Sequence, residues 1–143
     1  MFNDVRIDIY NYVYGLLFGE VSDNVYSMNE PQELTDSDTK DGFIVIRIGS
    51  IVDNSEFLRE AYGSVRVFVE AYVPPMSRGR LDKAKYKSFE EGITTAINNE
   101  IESGTNEHFS IQSDGVLSMD DNSDGNANNA YYIYIKSFIV TID

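Results

Sequence analysis

Apolar and polar positions along the chain change period several times, and each change predicts an element. Near the start, Val5, Ile9, Tyr12 or Val13, and Leu16 or Leu17 recur at spacings of three and four, one face of a helix. Asn3 or Asp4 can cap that helix, and Gly19 is placed to stop it. Asn24-Val25-Tyr26-Ser27 reads as a brief strand. Phe43 to Ser50 is β-branched and almost continuously apolar, as a central strand is. From Ser64 to Val73 the period falls to two: Val65, Val67, Val69, Ala71 and Val73 alternate with Arg66, Phe68, Glu70 and Tyr72. Pro74-Pro75 ends the strand, because proline cannot donate to a ladder. A second helix is expected from a cap at Asp82 through about Glu102, carried by Phe89, Ile93, Ala96 or Ile97, and Ile101. Residues 109–119 fit a strand with a bulge or a small hairpin, and the segment from Tyr131 to Ile142 a strand buried on much of both faces.

The expected order is α-β-β-β-α-β-β, an α+β class with a mostly antiparallel sheet of four or five strands packed with two helices. The segments 27–42, 53–63, 74–81 and 119–130 read as long loops of one domain spanning 1–143. No internal repeat is visible.

Composition narrows the function classes. Eleven Lys and Arg stand against 24 Asp and Glu, a net charge of −13. Such a field repels phosphate, so non-specific nucleic-acid or anionic-membrane binding is disfavoured; it suits a channel that passes DNA without gripping it, and equally a merely soluble protein. With no Cys, disulfide scaffolds, thiolate metal sites and cysteine nucleophiles are excluded, and one His leaves little for a triad or a zinc site. The N-terminal stretch lacks a basic n-region and no stretch approaches a membrane span, so the chain is expected inside a cell.

Four features carry possible chemistry. Asp120, Asn122 and Asp124, followed by Gly125, match the first half of a calcium loop, oxygen ligands at alternate positions and glycine at the sixth. The twelfth position is Tyr131 where a bidentate Glu belongs, and the same residues read more readily as a solvated inter-strand loop. Arg78, Arg80, Lys83, Lys85 and Lys87 crowd a short stretch behind the Pro74-Pro75 and Gly79 arm. They are suited to an acidic partner or neighbouring subunit, to a local nucleic-acid contact, or to a solvated first helical turn. Lysines at a helix N-terminus oppose the macrodipole, a mild conflict that adds a little weight to a functional role. The acidic stretch of Glu30, Glu33, Asp36, Asp38 and Asp41 reads first as a solvated mobile loop, and otherwise as a mate for that arm on the next copy, in a head-to-tail contact that closes a ring. Tyr131, Tyr132 and Tyr134 form a row read either as interface or as core and sheet surface.

The order of elements resembles the tail-terminator and tail-completion proteins of tailed bacteriophages. The resemblance rests on the opening helix at 4–17, on Val25-Tyr26 followed by Pro31, on the strand Phe43-Ile44-Val45, and on the alternating strand from Val65 to Tyr72 leading to a helix. The insertions at 27–42 and 119–130 are long for that family, and a head–tail connector ring is a related possibility. The resemblance implies a virion structural protein, not an enzyme and without a cofactor, assembled in the host cytoplasm. It would form a hexameric or dodecameric ring at the head–tail junction, binding portal-side connector and tail proteins while DNA passes through the lumen. The alternative is a small acidic binding module, with calcium held by residues 120–125.

Overall fold

The computed structural model describes residues 5–27, 33–51, 63–103, 109–122 and 131–142. Along the chain these form α1 (Val5–Leu17), β1 (Val25–Ser27), α2 (Asp36–Asp41), β2 (Phe43–Ile51), β3 (Gly63–Val73), a single 3-10 turn (Ser77–Gly79), α3 (Lys83–Ser103), β4 (Phe109–Asn122) and β5 (Tyr131–Ile142). The five described strands make one sheet in the order β1-β2-β3-β5-β4. β1 runs parallel to β2, and the other three pairings are antiparallel. The α+β class and the mostly antiparallel sheet are those the periodicity predicts.

The period-two residues of β3 explain the layering. Val65, Val67, Val69, Ala71 and Val73 share one face, where they meet Ile44 and Ile46 of β2 and Tyr134, Phe138 and Val140 of β5. Ile9, Val13 and Leu17 of α1 and Phe89, Ile93 and Ile97 of α3 cover that face, each at helical spacing and each buried. Both helices therefore lie on one side of the sheet. They run antiparallel: Tyr12 reaches Glu100, whereas Val21, just past α1, lies against Gly92.

The opposite face holds a smaller aromatic cluster. Phe43 stacks on Tyr72 at 4.6 Å, and Tyr131 meets both rings edge-on. Val45 and Ile133 are buried beside them. Toward the other end, Arg47 donates to Glu70 at 2.8 Å, and the Tyr72 hydroxyl donates to the same carboxylate at 3.2 Å. Burial alone would lower the Arg47 pKa, but the Glu70 and Tyr72 hydrogen bonds and the Glu70 charge raise it on balance. β5 is buried along one face and, at Ile133 and Ser137, on part of the other.

Two segments differ from expectation. The acidic stretch contains α2, a six-residue helix where the sequence suggests only loop. Its ends explain its presence in so polar a sequence. The Thr35 side chain accepts from the Asp38 N–H at 3.1 Å while the Asp38 carboxylate accepts from the Thr35 N–H at 3.0 Å, a reciprocal capping box. Gly42 then leaves the helix at φ 88°, where a side chain would press on the Tyr72 carbonyl. Second, β4 continues to Asn122, with its irregularity between Ser113 and Leu117, so the 119–130 segment is strand at its start. The 53–63 connection, Gly63 apart, lies outside the described residues.

Candidate interaction surface

The arm between β3 and α3 is built from the chain outward. Pro74 and Pro75 cannot extend the ladder, and the backbone turns back on itself at Ser77–Gly79. The Met76 N–H donates to the Arg80 carbonyl at 2.7 Å, and the Gly79 N–H to the Met76 carbonyl at 3.0 Å. Closing so tight a turn puts Arg78 at φ 64° and Gly79 at φ 72°. For an arginine this left-handed conformation costs roughly 1–2 kcal/mol, so the surroundings must hold it.

Those surroundings are visible. The Tyr132 hydroxyl of β5 donates to the Gly79 carbonyl at 2.8 Å and staples the turn to the sheet. On the far side Asp82 caps α3, its carboxylate accepting from the Lys85 N–H at 3.1 Å and its carbonyl from the Tyr86 N–H at 2.9 Å. The tip is nonetheless exposed: Met76 retains 47% of its surface, and Arg78 and Arg80 are exposed on either side of Gly79. The result is a fixed finger carrying one apolar and two cationic side chains.

The five cations of the sequence cluster separate into two groups. Lys85 donates to the Lys40 carbonyl at 2.7 Å, tying α3 to the last turn of α2. Lys87 lies 3.7 Å from Glu91, an exposed pair one helical turn apart and worth little on its own. Arg78, Arg80 and Lys83 are exposed and make no ion pair among the described residues.

The acidic partners do not stand where a loop would put them. Asp38 is fully buried in its own chain, where both carboxylate oxygens accept from the Tyr26 hydroxyl at 2.8 and 2.7 Å. It is therefore not presented to a neighbouring copy. Burial first, then the Asp38 hydrogen bond and charge, pushes the Tyr26 phenol up to about 12. Glu33 and Asp36 are exposed, and Glu30 lies outside the described residues. Through Lys85, α2 sits beside the basic end of α3 within one chain, where a small polar cleft of about 300 Å³ is lined by Asn24, Ser37, Asp41 and Lys85.

The Tyr row is divided three ways: Tyr134 in the core, Tyr131 in the aromatic cluster, and Tyr132 holding the arm. Of the expected calcium ligands, Asp120 and Asn122 are strand residues whose register places them opposite Ile133 and Tyr131, and Asp124 lies outside the described residues. No group of three or more His, Cys, Asp or Glu able to hold a metal occurs among the described residues. Nor, among them, is any helix long and apolar enough to cross a membrane.

A second surface is invisible at the level of hydropathy. Between α1 and α3 runs an open groove of about 910 Å³. Ala84, Ser88, Gly92 and Ala96, four residues apart along α3, line it with small side chains. Gly92 is needed small, since a Cβ there would lie 3.1 Å from Val21. Leu16 of α1 and Glu20 just past it line the groove on one side, and Lys87, Glu91 and Glu100 of α3 on the other. Glu100 accepts from the Tyr12 hydroxyl at 2.5 Å, and burial, followed by that bond, raises the Tyr12 pKa well above its ordinary value. The spacing of four small residues is the sequence signal for this groove.

No family model matches the chain, and no curated protein is significantly similar to it.

Proposed function

We propose that this chain is a structural subunit that assembles head-to-tail into a ring, a component of the head–tail junction of a tailed bacteriophage, and that it catalyses nothing. The supporting observation is the arm: a cationic finger held in a strained turn at several points, exposed at its tip, on a body of net charge −13. Copies of so acidic a chain repel one another at long range. Contact between them then depends on a local patch of opposite sign, which fixes partner and register more than it adds raw affinity. A contact between two different patches is heterologous, and it closes into a ring when its rotation closes. An anionic ring of this kind would let DNA slide through its lumen, because like charges give phosphate no hold. Connector and tail proteins would bind its two rims.

The test is mass by light scattering on a sizing column, from dilute to concentrated protein, followed by negative-stain imaging. A closed hexamer or dodecamer is expected, weakening with added salt. A chain that stays monomeric throughout, and that also ignores portal-side and tail proteins, would overturn the reading.

A further inference from the structure

Resting on that ring reading, we infer that the arm of one copy docks in the α1–α3 groove of the next. The chemistry of the two surfaces is complementary. The arm offers an exposed Met76 and two arginines, and the groove offers Leu16, Glu20, Glu91 and Glu100, with Lys87 also in its lining, 3.7 Å from Glu91 in an exposed pair that an arginine can replace. Guanidinium groups pair with carboxylates through two parallel hydrogen bonds, which gives orientation as well as attraction. The small residues Ala84, Ser88, Gly92 and Ala96 let a neighbouring backbone approach α3 closely.

The charge order of α3 points the same way. Its first turn holds no acidic residue and its last turn no basic one, while Lys83, Lys85 and Lys87 begin the helix and Glu100 and Glu102 end it. These charges oppose the macrodipole at both ends, although the Asp82 cap complements it at the N-terminal one. Cations from a neighbour, laid along the Glu91–Glu100 half, supply what the C-terminal end of the helix lacks.

The chain's own arm sits at the near end of the groove, beside Ala84, and it is the far half, from Glu91 to Asn99, that it leaves open. Tyr132 and the Asp82 cap hold the arm at the N-terminal end of α3. Asn99 in the groove lies 16 residues beyond Lys83, roughly 24 Å along the helix at 1.5 Å per residue. The occupant is a second copy.

The absence of cysteine makes the contact directly testable. Arg78→Cys is introduced in one preparation and Asn99→Cys in another, and each is treated with a short bis-maleimide, alone and mixed. A covalent dimer is expected only in the mixture. Cross-linking of Arg78→Cys alone would mean arm against arm, and no cross-link in an assembled mixture would mean a different acceptor; either overturns the docking. In parallel, Arg78→Glu with Arg80→Glu is expected to weaken association at least about tenfold, and adding Glu20→Arg with Glu91→Arg to restore it. Circular dichroism verifies that each variant is folded. If the wild-type chain forms rings and the arm reversal leaves their affinity unchanged, the docking fails and the ring survives. If the wild-type chain forms no oligomer, alone or with its neighbours, both fail.

Discussion

Asp38 is the residue whose removal is most informative about the fold around the arm. It is wholly buried, accepts from the Tyr26 hydroxyl with both oxygens, and accepts from the Thr35 N–H to complete the capping box of α2. Asp38→Ala leaves the Tyr26 hydroxyl and the Thr35 N–H without that acceptor. Hydrogen bonds to a charged group are worth about 1.5–3 kcal/mol each, and the desolvation of the buried carboxylate, which disappears with it, offsets part of the loss. The net destabilisation is about 3 kcal/mol. At ~3 °C per kcal/mol for a domain of this length, Tm falls by roughly 9 °C. The assay is thermal and urea unfolding of the wild type, Asp38→Ala, Tyr26→Phe and the double variant. Because the two side chains act on each other, the double variant should lose less than the sum of the singles, with a coupling of roughly 1–2 kcal/mol. Strict additivity, or a single-variant loss under about 1 kcal/mol, would refute the view that the Tyr26–Asp38 contact anchors α2.

Three further outcomes follow from the same geometry. Gly42→Ala sets a Cβ about 2.5 Å from the Tyr72 carbonyl at a left-handed φ, so a loss of at least about 2 kcal/mol is expected in urea unfolding. Arg78→Gly relieves a left-handed arginine, and after the extra chain entropy of glycine a small gain of roughly 0.5 kcal/mol remains, measured as a higher urea midpoint while assembly weakens. The Tyr26 phenol is raised from 10.0 to about 12, so its contribution to stability is complete below pH 10 and disappears as pH rises toward 12. Tyrosinate absorbance should show that late titration in the native protein and lose it in urea, and coincident native and unfolded curves would contradict it.

The elements that bury a face were legible because burial imposes a period. Ile9, Val13 and Leu17 announce α1 as plainly as Val65 to Val73 announce β3. What was not legible depends on single polar contacts. Nothing in the hydropathy of Asp36–Asp41 distinguishes a helix from a loop, and the difference lies in the Thr35–Asp38 cap and in Tyr26 arriving from β1. That same contact turns Asp38 from a surface carboxylate into a buried one. In the arm, the sequence marks the cations but not their fates: Lys85 is drawn to the Lys40 carbonyl because α2 exists, and only then do Arg78, Arg80 and Lys83 stand apart as the exposed group.

The arm also carries a local inconsistency that packing alone does not require. A turn between a strand and a helix can be closed by glycine or asparagine in the left-handed position at little cost. Here Gly79 already occupies one such position, its carbonyl held by Tyr132, yet the neighbouring one holds arginine. Stability would favour a second glycine, and solubility would favour an acidic residue in keeping with the rest of the surface. An arginine held there against both preferences is explained when its guanidinium has a carboxylate to meet, and the reversed charges of α3 place carboxylates beside a groove with room for it.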